Sequence, residues 1–154
     1  MSDGVSAGVR EDTSGDTLDQ LLREDGFDVV RRVVEDDAAA ISEALVELSS
    51  DGALLILTTG GTGFAPRDVT PEATQSIVER EAPGLAEAIR ADARARTPHA
   101  LLSRGIAGLR GRTLIVNLPG SPGGCRDGFA VLRPALRHGL ELAAGHTATP
   151  HRQT

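Results

Sequence analysis

The chain has 154 residues, of which 40% are hydrophobic and 25% charged, the composition of one ordinary globular domain. A net charge of −6 argues against nucleic acid as a partner, and the absence of lysine excludes a Schiff-base lysine and a Walker A phosphate loop. The single cysteine and the lack of any apolar run of about 18 residues favour a cytoplasmic protein with no internal disulfide and no membrane partner.

The first part of the chain predicts an alternation of helices and strands. Residues 13–25 carry leucines on one helical face, and the β-branched run 27–34 (FDVVRRVV) predicts a strand. A helix follows the acidic turn 35–37, and the continuously apolar run 53–59 predicts a strand that is buried on both faces. The order strand, helix, strand predicts a right-handed parallel βαβ unit.

The second part predicts three further helices and a hairpin. In chain order these are a helix over about 70–81, a helix over about 85–96, a hairpin within 102–118 around Arg110-Gly111, and a closing helix over about 125–144. We expect one domain over residues 1–145, followed by a flexible polar tail over residues 146–154.

Ligands of open α/β sheets bind beyond the carboxyl ends of the strands, where three loops are expected here. The turn Gly60-Gly61-Thr62-Gly63 offers backbone amides to phosphate oxygens, although such turns are as often purely structural. Asp68, together with Asp36 or Asp37, could hold a Mg²⁺ ion between this turn and a phosphate. The alternative is that these aspartates cap a helix and brace a loop.

Two motifs closely resemble those of the molybdenum-cofactor biosynthesis family that binds molybdopterin and adenylylates it. They are TTGGTGFAPRDVTPEAT (58–74) and LIVNLPGSPGG (114–124), and the resemblance runs from Ser2 to near Gly145. It implies a three-layer α/β/α sandwich with a mostly parallel sheet plus a hairpin, assembled as a homotrimer or, in some members, a hexamer. It also implies transfer of AMP from ATP to the terminal phosphate of molybdopterin, with Mg²⁺ present and pyrophosphate released.

The resemblance assigns roles to residues by matching position. Asp36 and Asp68 fall at the catalytic, Mg²⁺-binding acidic positions, with Asp37 as a one-residue alternative to Asp36. The positions that match substrate-binding or nucleotide-binding loops are Ser2, Asp3, Gly60, Gly61, Thr62, Gly63, Ser121, Pro122 and Gly123.

The chain departs from the family pattern at its amino terminus. Family members usually begin with an apolar strand that ends in a Ser-Asp pair, whereas Ser2 and Asp3 here directly follow Met1. We therefore expect the family's first strand to be missing, which a start codon placed too late would explain. The sheet would then contain an open groove with unpaired backbone groups.

Two other functions stay open at this point. One is a family member that binds molybdopterin without adenylylating it. The other, from a different class, is a domain resembling the amino-terminal part of competence-damage proteins linked to pyridine-nucleotide repair, although those chains are usually longer.

Overall fold

The computed structural model describes residues 12–146. Ser2, Asp3 and the predicted tail from residue 147 onward lie outside these residues. No helix in the described range is both long and apolar enough to cross a membrane. The elements are α1 Thr13–Glu24, α2 Ala38–Ser50, β1 Leu55–Thr59, α3 Thr70–Ile77, β2 Arg80–Glu81, α4 Pro83–Arg94, a 3₁₀ helix Pro98–Leu102, β3 Ala107–Arg110, β4 Thr113–Leu118 and α5 Pro122–Ala143.

The four strands of the described range form one sheet in the order β1-β4-β3-β2. β1 runs parallel to β4, with Leu55 opposite Leu114. β3 and β4 form the predicted hairpin around Gly111, and the short β2 pairs antiparallel with β3. The α/β fold class expected from the sequence is confirmed, with a parallel pair at one end of the sheet and the hairpin at the other.

β4 lies at the centre of three layers, and all six of its residues are buried. Leu114, Val116 and Leu118 pack on one face with residues of α1, α4 and α5. Ile115 points to the other face, where it packs with apolar residues of α2 and α3. Because side chains alternate along a strand, the four apolar residues among the six of β4 lie on both of its faces and pack against helices on both sides.

The strand predicted over residues 27–34 is not present, and the βαβ unit predicted with it is therefore wrong. A strand needs a neighbour to hydrogen-bond with, and a cavity of about 1060 Å³ separates this segment from β1. Ion pairs attach the segment to both helical layers instead. Arg31 pairs with Asp16 of α1 at 2.7 Å, and Arg32 pairs with Glu47 of α2 at 2.7 Å.

Other differences concern the ends of elements. α3 ends at Ile77 rather than near residue 81, because Arg80 and Glu81 pair with β3 and form β2. α5 begins three residues earlier than predicted, at Pro122, because the Ser121 side chain caps it. The 3₁₀ helix over Pro98–Leu102 was not predicted.

Candidate active site

The cavity beside β1 brings together several of the residues that the sequence singled out. Its lining runs along β1 and the segment 26–34, and at the carboxyl end of β1 it includes Gly60, Gly61 and Asp68. Asp36 and Gly120 also line it. This end of the sheet is where α/β proteins hold their ligands.

The loops that follow β1 and β4 touch each other. The Gly60 N–H donates to the Leu118 carbonyl at 3.2 Å, and the Thr59 hydroxyl donates to the Pro119 carbonyl at 2.9 Å. A Cβ atom on Gly120 would lie 3.1 Å from the Gly60 Cα, so the two backbones approach more closely than a side chain would normally allow. The two glycine-rich loops therefore form one surface.

The first glycine-rich loop folds back onto the start of α3. Gly61 has φ +67°, and a Cβ atom there would lie 2.3 Å from the Thr70 Oγ1. The Thr70 N–H donates to the Gly61 carbonyl at 3.1 Å. Both the left-handed backbone and the close approach require glycine at position 61.

Asp68 closes the turn at the far end of this loop. Its Oδ2 accepts a hydrogen bond from the Ala65 N–H at 3.0 Å, and its own N–H donates to the Ala65 carbonyl at 2.9 Å. Within residues 12–146 its second carboxylate oxygen, Oδ1, accepts no hydrogen bond. Asp68 thus braces the loop through one carboxylate oxygen, and it also lines the cavity.

The neighbours Asp36 and Asp37 have different surroundings. Asp37 is exposed, and its Oδ1 accepts from the Ala40 N–H at 2.9 Å as the N-cap of α2. Asp36 is half-buried and lines the cavity. Asp37 is therefore engaged as the helix cap, and Asp36 is the one of the two that lines the cavity.

Five of the expected binding residues are not part of the described cavity lining. Ser121 is exposed and accepts from the Gly124 N–H at 3.0 Å as the N-cap of α5, with Pro122 and Gly123 in the first turn. Thr62 is buried behind the loop. Gly63 packs against Asp68, whose Oδ2 would lie 2.8 Å from an added Cβ.

Sequence reasoning missed the residues at the start of α1. Asp12 lines the cavity, caps α1 by accepting from the Gly15 N–H at 2.9 Å, and pairs with Arg31 at 2.8 Å. The Ser14 hydroxyl donates to the Gly120 carbonyl at 2.7 Å. The sequence Asp-Thr-Ser-Gly is a recognisable helix start, but only the tertiary fold places it against the second loop.

Cys125 is fully buried in the first turn of α5. Its thiol lies 3.2 Å from both the Thr59 Oγ1 and the Pro119 carbonyl oxygen. Burial raises the pKa of the Cys125 thiol, which opposes any activation by the helix N-terminus. Its role is to pack beneath the two loops.

The fold and the cavity define a three-layer α/β protein with a candidate ligand site at the carboxyl edge of its sheet. Residues 1–138 match the family described as "Probable molybdopterin binding domain". The chain belongs to this family, whose domain is found in proteins of molybdenum cofactor biosynthesis.

Known proteins resemble the chain over most of its length. The molybdenum cofactor synthesis protein cinnamon of Drosophila melanogaster is 42% identical over 92% of this chain, which spans only 24% of the fly protein. The molybdopterin adenylyltransferase of Helicobacter pylori is 36% identical, over 94% of this chain and 85% of its own length. The structure of the molybdopterin biosynthesis enzyme MoaB from Thermus thermophilus is 47% identical with a TM-score of 0.85, covering 94% of this chain and 92% of MoaB.

Proposed function

We propose that this protein transfers AMP from ATP to the terminal phosphate of molybdopterin and releases pyrophosphate. The observation that carries the proposal is the common cavity of Gly60, Gly61, Gly120, Asp36 and Asp68 at the carboxyl ends of two parallel strands. The similarity of this chain to the Helicobacter pylori molybdopterin adenylyltransferase supports the same reaction.

The reaction needs no covalent intermediate with the protein. A terminal phosphate oxygen of molybdopterin attacks the α-phosphorus of ATP, so one P–O bond forms and the bond to pyrophosphate breaks. The protein contributes alignment of the two phosphates and compensation of their charge. The Gly60 N–H is engaged by Leu118, so the loop amides that follow Gly60 are the donors for the nucleotide. The second loop and the N-terminus of α5 would bind the molybdopterin phosphate.

The residues fit a Mg²⁺ ion. Mg²⁺ is usually bound by one or two carboxylates together with substrate phosphates, so it does not need a larger set of protein ligands. Among the residues that the structure describes, no group of three or more His, Cys, Asp or Glu side chains could hold a metal ion. Asp36 and Asp68 both line the cavity. Among residues 12–146, none donates a hydrogen bond to the Asp68 Oδ1. These two carboxylates would hold the ion, which supplies charge neutralisation and Lewis acidity to the phosphates when bound.

The proposal is tested by mixing the purified protein with molybdopterin, ATP and Mg²⁺ and measuring pyrophosphate. We expect release by the natural sequence and a loss of at least about a hundredfold in Asp68→Asn, since the carboxylate charge is needed for the metal. Asp37→Asn is the matched control, because this carboxylate only caps α2. Full activity of Asp68→Asn would refute the assigned role. Tight molybdopterin binding with no pyrophosphate release would select the binding function without adenylylation.

We also propose that the protein works in the cytoplasm as a homotrimer, with a hexamer as the alternative. Phe64 and Leu101 are apolar side chains with 67% and 64% of their surface exposed, which a subunit contact would cover. Sedimentation equilibrium at micromolar concentration should return three times the mass of one chain. A monomer at that concentration would refute the assembly.

A further inference from the structure

Arg104 lies between the 3₁₀ helix and β3, outside both motifs that carry the family resemblance, and it holds the first glycine-rich loop. Its backbone N–H donates to the Thr62 carbonyl at 2.8 Å. In its side chain, Nε donates to the Gly63 carbonyl at 2.7 Å and Nη2 donates to the Asp68 carbonyl at 2.5 Å. Nη1 pairs with the Glu72 carboxylate in the first turn of α3.

The two carbonyls that accept hydrogen bonds from the Arg104 guanidinium lie on either side of an exposed stretch of the loop. Gly63 and Asp68 lie five residues apart in the chain, and residues 64–67 between them are exposed. Because the guanidinium is planar and its donors are fixed in direction, binding both carbonyls sets the distance between the two ends of the stretch. The Glu72 carboxylate then fixes the rotation of the guanidinium and neutralises its charge.

We propose that Arg104 is a positioning residue that sets the shape of the loop 60–68 for the nucleotide. Its contacts with Gly63 and Asp68 fix where the loop amides and the Asp68 carboxylate lie before the ligand arrives. Three of the five guanidinium N–H donors bind the loop and Glu72, and we assign Arg104 a role that acts through this loop. This inference rests on the proposed function, since it assigns the loop to ATP.

A role in positioning is distinguishable from a role in folding alone. Loss of a fold-stabilising contact reduces the fraction of active protein and leaves the KM of the folded fraction for both substrates unchanged. Loss of a preformed nucleotide loop raises the KM for ATP selectively, because ordering the loop now opposes binding. The KM for molybdopterin, assigned to the second loop, should change little.

Arg104→Lys is the main variant, because it keeps the charge but cannot bind the two carbonyls and the carboxylate in one plane. We expect its KM for ATP to rise about 10- to 100-fold, the effect of a misplaced binding group, with kcat changed less than about threefold. Glu72→Gln, which keeps the shape of the partner, should raise the same KM by a smaller factor. Arg110→Ala is the control, because Arg110 also donates to a backbone carbonyl, that of Ile77 at 3.0 Å, but at the hairpin.

Steady-state pyrophosphate release with each substrate varied in turn, and calorimetry of ATP binding, would test the inference on folded protein. A selective rise in the KM or Kd for ATP in Arg104→Lys, absent in Arg110→Ala, supports it. Unchanged ATP parameters in Arg104→Lys, or an equal rise for both substrates, overturn it while the wild-type activity still supports the proposed function. A wild-type protein that neither releases pyrophosphate nor binds ATP refutes both.

Discussion

The substitution Gly61→Ala tests whether the first glycine-rich loop needs the shape that the structure gives it. Gly61 has φ +67°, in the left-handed region that alanine adopts only at a cost of about 1–2 kcal/mol. The added Cβ would also lie 2.3 Å from the Thr70 Oγ1, which is well inside van der Waals contact. Thr70 has 0% of its surface exposed and cannot swing out into solvent.

The two effects add because they act on different parts of the residue. Overpacking against a buried neighbour costs about 1–3 kcal/mol, so with the backbone cost the free energy of unfolding should fall by about 2–5 kcal/mol. A domain of this kind has a total stability of about 5–15 kcal/mol. With a urea dependence of about 2 kcal/mol per molar, the unfolding midpoint should fall by about 1–2.5 M.

Urea unfolding followed by circular dichroism measures this change, with Gly139→Ala as the matched control. Gly139 lies inside α5, and a Cβ atom there would meet nothing within 4 Å. The same change of residue should therefore stabilise the protein by about 0.5–1 kcal/mol, because alanine is the better helix former. If Gly61→Ala does not lower the unfolding midpoint relative to Gly139→Ala, the loop does not need the left-handed backbone and close approach at Gly61.

Three further predictions concern single side chains. Asp36→Asn should abolish pyrophosphate release, whereas Asp37→Ala should keep the activity and lower the free energy of unfolding by about 1 kcal/mol, the effect of a lost helix cap. The hydrogen bond with Arg104 holds the pKa of Glu72 below its usual range, so the stability it adds is present above about pH 4.3 and is lost as the pH falls through the lowered pKa. Glu72→Gln should therefore flatten that acid decline in a pH series of unfolding midpoints. Cys125 has 0% of its surface exposed and should react with a thiol reagent only after unfolding, so rapid labelling of the native protein would contradict its packing role.

The sequence predicted best those elements whose pattern depends on local contacts. The leucine face of residues 13–25 is a short-range signal, and α1 lies where it predicts a helix. The Ser121 cap of α5 and the choice of Asp37 over Asp36 as the cap of α2 were not predicted. The hairpin was recognisable because two apolar runs flank the turn-like Arg110-Gly111, and β3 and β4 lie there. The run 53–59 contains β1 as predicted, but its burial on both faces was wrong, because buried and half-buried residues alternate along β1.

The failed strand over residues 27–34 shows what a local pattern lacks. Its β-branched residues fit an extended backbone, but a strand is defined by hydrogen bonds to a neighbour that lies elsewhere in the chain. The cavity stands where that neighbour would be among the described residues, and Val30 and Val33 remain 77% and 49% exposed. For the same reason β2 was missed, since its two residues are ordered only by pairing with β3.

The sequence predicted which loops form the site, but it did not predict which residue in those loops has which role. Asp36 and Asp37 are chemically identical and adjacent, so only the helix start at Ala38 decides which carboxylate is engaged as a cap. Arg104 carries no sequence signal for its role, because its partners lie between 32 and 42 positions earlier in the chain. Such an arrangement is visible only after β3 has brought Arg104 next to the loop.

The charge around the cavity constrains how an anionic ligand can bind. Six aspartates line it, namely Asp12, Asp19, Asp28, Asp36, Asp51 and Asp68. The charge of Asp12 is compensated by Arg31 at 2.8 Å and by the N-terminus of α1. Asp36 and Asp68 face the same space as the phosphates would, so ATP alone meets repulsion that a divalent cation would convert into attraction. Binding of ATP should therefore strengthen at least about tenfold when Mg²⁺ replaces EDTA, and this gain should shrink in Asp68→Asn. Equal ATP affinity with and without Mg²⁺ would mean that the two carboxylates do not face the nucleotide.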